Sequence, residues 1–380
     1  MPPQAALVNL SPAELAFLRS TLAQTPPLRL DVTKGPRDFR SMRAEFDVLP
    51  TANGSARIAL EDGTEALVGV KAEVEQTPQR PALGDQGDVD TPNADGHTPN
   101  ADGHGHSHGH SHSHSHGHGH SHGHGHGQNG WLEMSVEVPG FRDDDALPVF
   151  LASMLTESLL ASRDLQDRLY INRRFHWKLY IDILLLSPPL SYPLGLLSMA
   201  THLALLTTHL PALKSEKDED PLFDDDWDAA APLYPKSAST CCPRDKPPVI
   251  VLAMAVGANI IFDPAKEELA VADAVLAVAC TTSSSSSTGA RIVSIRTIDP
   301  PSHLTPPAVP NSMNSATGGT APDSSAQALT MREMLATTGV WTPPRGGMKR
   351  ALVSQVTKMV VEKGGVAEDI IGALAGIETA

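Results

Sequence analysis

The chain has 380 residues, a formal net charge of −15, an aromatic share of 4% and only three cysteines. A chain this acidic does not hold nucleic acid through its overall field, so any such contact must be a local basic patch or be supplied by partners. Cys241, Cys242 and Cys280 are too few for a disulfide framework, which fits a reducing compartment.

The first residues lack a basic region followed by an apolar run, so no secretory signal is expected. Ser11-Pro12-Ala13-Glu14 is a capping box with proline at the first helical position. It predicts a helix to about residue 23, with Leu15, Leu18 and Leu22 on one side and Pro26 and Pro27 ending it. Asp62-Gly63 then separates two β-type runs, the pair a tight hairpin prefers where both central residues take φ > 0. Beyond it Ala66, Val68, Val70, Ala72 and Val74 share one strand face, and Leu67, Gly69, Lys71 and Glu73 the other. Alternation alone makes this a core hairpin.

From Gln76 to Gly130 the composition changes. TPNADGH stands at 91–97 and again at 98–104, and histidine then alternates with Gly or Ser from His104 to His126. Nothing there can bury a core, so disorder is expected. Imidazoles at this density chelate Zn²⁺, Ni²⁺ or Cu²⁺ and gain charge below about pH 6.5. That makes His104, His106, His108 and His110 a metal-ligand set and metal buffering one reading. An expanded repeat in a tolerant surface loop is the other, and is favoured because a flexible repeat fixes no ligand geometry.

Trp131 to Val138 reads as a strand, with Leu132, Met134, Val136 and Val138 alternating. Asp143 to Asp145 supply a helix N-cap, and Leu147, Leu151, Met154, Leu155 and Leu159 form the buried stripe of the helix. In the strand from Arg173 to Leu186, Trp177, Leu179, Ile181, Ile183 and Leu185 face one way; His176, Lys178, Tyr180 and Asp182 face the other. Leu194 to Leu210 predicts an apolar, sheet-covering helix that contains His202 and His209. Residues 215–248 carry an acidic loop without the ordering of a calcium-binding loop, hence a solvated charge run. Further strands are expected at Val249–Val256, Ile260–Phe262, Leu269–Ala279 and Arg291–Ile298, with a mobile serine run at 283–287. A Pro/Ser/Thr-rich linker at 299–326 precedes closing helices, and no uncharged apolar stretch has the length of a membrane span.

Several literal segments say more than their periodicity. Arg37-Asp38-Phe39-Arg40, Gly54-Ser55-Ala56-Arg57 and the run from Val68 to Val74, with Trp177, Tyr180 and Asp182 later, resemble the RNase PH family. The likeness is to the branch that builds the ring of the RNA exosome. The family usually carries Asp-Gly-Arg before a Tyr-Arg, where this chain has Lys34-Gly35-Pro36-Arg37 before Phe39-Arg40. The resemblance covers roughly residues 10–76, 131–211 and 249–298. It implies an α/β (α+β) RNase PH-like domain, a mixed β-sheet with packed helices interrupted by disordered insertions. The domain would span 1–298, with insertions at 77–130 and 215–248, then a disordered linker at 299–326 and C-terminal helices of the same domain at 327–380. It also implies a hexameric ring of RNase PH-like subunits, S1/KH-type cap subunits, and RNA threading the channel in the nucleus, nucleolus and cytoplasm. No cofactor and no membrane are implied.

Phosphorolysis needs a held phosphate and a carboxylate at the scissile 3′ linkage. Active members of the family carry an acidic segment, and the matching stretch here runs from Ile261 to Ala279. With Asp263 and Glu268 matched, Leu269 and Val275 stand where two family aspartates would be, and neither can accept a proton. No Gly-Ser-Arg-like phosphate loop follows the helix at 146–163. The archaeal RNA-gripping arginine pair would fall near Leu155 and Ser158. These substitutions predict a subunit without catalytic residues; a phosphorolytic exoribonuclease using Asp273 is the competing reading. Arg37, Arg40, Lys71, Arg173 and Arg174 are the candidate RNA contacts, each equally able to bridge to a neighbouring subunit.

Overall fold

The computed structural model describes residues 10–78, 127–216, 219–235, 245–282, 289–309 and 340–378 except 346, with isolated positions between 313 and 330. The histidine tract, with His104, His106, His108 and His110, lies outside the described residues, as do Cys241, Cys242 and the serine run.

Helix α1 (Pro12–Leu22) begins as its capping box predicts. Glu14 N donates to Ser11 Oγ at 3.3 Å and Ser11 N to the Glu14 carboxylate at 2.7 Å. Strands β1 (Met42–Phe46), β2 (Gly54–Leu60) and β3 (Glu65–Gln76) form an antiparallel meander. The β2–β3 turn differs from the expected pair of left-handed residues. Gly63 takes φ +83° and Asp62 does not take a positive φ. Leu60 N donates to Thr64 O at 2.9 Å, and Thr64 N to Asp62 Oδ1 at 2.8 Å. The Asp62 side chain closes the turn onto the backbone, which gives a three-residue loop with glycine in the left-handed slot.

Strand β4 (Leu132–Glu137) lies parallel to β5 (Phe175–Leu185), and helices α2 (Ala146–Leu160) and α3 (Asp164–Arg168) make the crossover. The sheet order is β1-β2-β3-β5-β4, the mixed sheet the sequence implies. Its inner face, from Ile58 through Val68 and Val70 to Leu179, Ile181 and Ile183, is buried. The α2 stripe is buried as expected, but Asp145 accepts from Arg142 N at 2.8 Å instead of capping the helix.

Helix α4 (Leu194–Leu206) stops short of the expected Leu210. The chain leaves it at Thr207, and His209–Leu210 (β6) pairs with Ala231–Pro232 (β7). All α4 residues except Gly195 are buried, because the helix is covered on both sides. It packs on β2 and β3 and also on β8 (Val249–Val256). Strands β8, β9 (Asn259–Phe262), β10 (Ala274–Thr281) and β11 (Arg291–Ile298) form a second, antiparallel sheet in the order β11-β10-β8-β9. The stretch expected as one strand from Leu269 begins instead in a short helix, α5 (Lys266–Leu269), and the strand starts at Ala274. Ala265 N donates to the Glu268 carboxylate at 2.9 Å and fixes that helical turn. Helices α6 (Arg350–Val361) and α7 (Val366–Glu378) close over this sheet. Part of the acidic segment is anchored as well as solvated. Phe223 packs on Trp177 at 4.9 Å, and Leu233 and Tyr234 are buried.

Inside α4, His202 is fully buried, with Nδ1 2.7 Å from the carbonyl of Pro247. A carbonyl can only accept, so Nδ1 carries the proton. Burial pushes His202 down to about 4. Its unfolded value is about 6.5, so the stability it contributes is complete above that pH and falls as the pH drops toward 4. We expect acidification over that window to cost about 3 kcal/mol through this one group. Urea midpoints measured against pH should show a flatter acid limb for His202→Gln than for the native chain.

Candidate functional site

Asp263, Glu268 and Asp273 are three carboxylates of the stretch matched above to the acidic segment of active RNase PH-type chains. Each is held by an arginine from the first forty residues. Asp263 follows β9 in a left-handed conformation, φ +44°. Arg40 grips it with both ends of its fork, Nε to Oδ2 at 2.9 Å and Nη2 to Oδ1 at 2.6 Å. Arg40 N donates to the same Oδ2 at 2.8 Å. The Arg40 Nη1 reaches Asp62 at 2.6 Å and Ser191 Oγ at 2.7 Å. Burial would lower Arg40, but Asp263 and then Asp62 outweigh it and hold the guanidinium above its ordinary value. Burial would raise Asp62, but hydrogen bonds from Thr64 and the charge of Arg40 hold it below the usual carboxylate range.

Glu268 is 1% exposed, and Arg29 forks it at 3.1 and 2.9 Å. The remaining Arg29 donors go to carbonyls of Gly35, Asp38, Phe262 and Asp263. Asp273 accepts from Arg19 at 2.6 Å and from Gly257 N at 2.7 Å. Leu269 and Val275, which the sequence reading sets against two aspartates of active RNase PH-type chains, are both buried. So are Leu155 and Ser158, on the core side of α2.

Beside Arg40 and Asp263 a cavity of about 20 Å³ is bounded by Tyr192, Gly195 and Leu196 at the start of α4. That is room for a water molecule and too little for a phosphate. The Tyr192 hydroxyl is buried there without a protein partner, and burial pushes it well up. Among the described residues no group of three or more His, Cys, Asp or Glu is placed to hold a metal ion. Cys280 is buried, and its thiol is pushed up to about 12 by that burial, so it is inert.

The five candidate RNA contacts are not brought together. Arg40 faces inward as described. Arg37 is half exposed and pairs with Glu362 at 3.0 Å. Lys71 lies on β3 beside Glu73, 2.6 Å away. Arg174 pairs with Asp220 at 3.0 Å, and Arg173 also interacts within the chain. Sequence reasoning did not find Arg29 and Arg19. The signal for Arg29 was its position in Leu28-Arg29-Leu30, a lone arginine between apolar residues.

Comparison with known proteins agrees with this architecture. Residues 38–109 match the RNase PH profile described as the 3′ exoribonuclease family, domain 1. The fold is thus RNase PH-like, a mixed α/β arrangement. In particular, the chain is similar to the exosome complex component RRP42 of Saccharomyces cerevisiae, 28% identical over 267 residues, 70% of this chain and 79% of that protein. It is also similar to the exosome complex component rrp42 of Schizosaccharomyces pombe, 26% identical over 286 residues, 71% of this chain and 78% of that one. A solved archaeal exosome core chain is 20% identical, with a TM-score of 0.45, covering 75% of this chain and 84% of its own.

Two arginines separate the buried pairs from the surface ones. Arg29→Met leaves Glu268 enclosed without its cation, and should cost about 3–5 kcal/mol. Arg37→Ala removes a half-exposed pair and should cost less than about 1 kcal/mol. Urea unfolding of both variants checks the contrast.

Proposed function

We propose that this chain is a non-catalytic ring subunit of an RNA exosome that serves 3′→5′ RNA processing and decay. The observation that carries the reading is the capture of Asp263, Glu268 and Asp273 by Arg40, Arg29 and Arg19. A general acid or base must reach the reacting group and change protonation state there. Carboxylate oxygens already taken up by arginine and backbone donors are not free to take that role. The relatives' shared name, exosome complex component, supports the assignment.

In this reading the partners are other RNase PH-like subunits in a hexameric ring and S1/KH-type caps, with RNA passing through the channel. The work is done in nucleus, nucleolus and cytoplasm; among the described residues no helix is long and apolar enough to cross a membrane. Arg37, Lys71, Arg173 and Arg174, each already engaged within the chain, are the candidates to meet RNA phosphate or a neighbouring subunit. Arg40 serves the interior.

The purified chain, alone and with its ring partner, should release no nucleoside diphosphate from RNA and inorganic phosphate above a protein-free blank. Release that Asp273→Asn abolishes would establish the phosphorolytic reading instead.

A further inference from the structure

The outer face of the first sheet carries a hollow of about 370 Å³ that none of the chemistry above uses. Cross-strand register explains its shape. Gly69, Asp182 and Ser135 stand side by side in one row across β3, β5 and β4. Leu67, Leu184 and Glu137 form the next row. Leu49, Thr51 and Ala52, from the loop before β2, make the wall. Glycine at 69 keeps the hollow open, since a Cβ there would come within 3.1 Å of Leu49 Cδ1. The centre of the floor is therefore a carboxylate beside a missing side chain, bordered by two leucines.

We propose that this hollow docks a cationic side chain, arginine above all, presented by a protein neighbour. Its charge is the argument. Asp182 accepts from Ser135 Oγ at 2.6 Å and has no cation beside it among the described residues. Glu137, its diagonal neighbour, is exposed and without an ion pair among them. Lys71 is the one basic residue among those lining it, with its ammonium held by Glu73 at 2.6 Å, and Arg57, beside Leu67 on β2, is paired with Glu65. Two lining carboxylates against one ammonium that Glu73 already holds leave the hollow negative, which repels an RNA backbone and attracts a guanidinium. An arginine stem laid over Leu67 and Leu184 buries its methylenes, while the planar fork meets a carboxylate with two hydrogen bonds. A lysine would bring the charge without the fork.

This inference rests on the ring-subunit reading only for the identity of the neighbour. The full-length chain, carrying the photocrosslinker p-benzoylphenylalanine at Leu184, is purified from its own cells in its assembly and irradiated. The expected product is a crosslink to another protein chain, at a peptide with arginine or lysine within a few residues. The double change Glu137→Lys with Asp182→Lys should weaken retention of that chain at least tenfold. The milder Glu137→Gln with Asp182→Asn should weaken it less, at an unchanged melting temperature, and Lys71→Glu should not weaken it. A crosslink to RNA, to a second copy of this chain or to a peptide without a cation overturns the proposal. So does the absence of any crosslink, or retention unaffected by the charge changes. A cationic peptide from a protein that is neither an RNase PH-like subunit nor an S1/KH-type cap would keep the docking site and overturn the ring reading.

Discussion

Arg40 joins the two halves of the molecule. Its fork holds Asp263 at the end of β9 in the second sheet, while its other nitrogen holds Asp62 in the β2–β3 turn of the first. Ser191, just before α4, takes a further hydrogen bond. One side chain thus ties both sheets to the helix sandwiched between them. Bringing these charges out of water is costly, and the geometry that offsets the cost is near-complete: a bidentate fork, a second carboxylate and a hydroxyl share the donors. The left-handed backbone at Asp263 fits the same picture, since aspartate is among the residues that tolerate it and the fork holds it there.

Arg29 continues the pattern one step further. It donates to the carbonyls of Phe262 and Asp263 and forks Glu268, so two arginines from residues 29–40 clasp the whole turn from β9 into α5. Freeing a carboxylate from such a clasp means breaking charged hydrogen bonds worth about 1.5–3 kcal/mol each. A positioned general acid or base contributes about 10²–10⁴ in rate, or roughly 3–5 kcal/mol. Releasing one of these acids would therefore consume most of what it could return. Asp263 and Glu268 thus hold the fold, and Leu269 and Val275 belong to the core.

Legibility in the sequence followed the range of the interactions. Helix α1 was legible because its cap is local, and β3 and β5 because a two-residue period with one apolar face has a single reading. The start of β10 was not: residues 269–279 are apolar almost throughout, so periodicity cannot separate the turn of α5 from the strand. Burial of α4 on both sides showed only as uniform apolarity, which also fits one thick core. The fork between Arg40 and Asp263 spans 223 positions, and no local pattern announces it. Sequence placed Arg40 on a list of RNA contacts because it sees charge and not direction. The hollow at Gly69 needed the register of three strands before Asp182 and Glu137 could be seen as neighbours.

The central claim is that Arg40 and the acids around it are fully engaged with one another, leaving no place for an anion. Titrating the purified full-length chain with inorganic phosphate, and following ³¹P line width as the phosphate approaches millimolar levels, tests that directly. The account predicts no saturable broadening. Saturable binding at one phosphate per chain, weakened by Asp263→Asn, would contradict it.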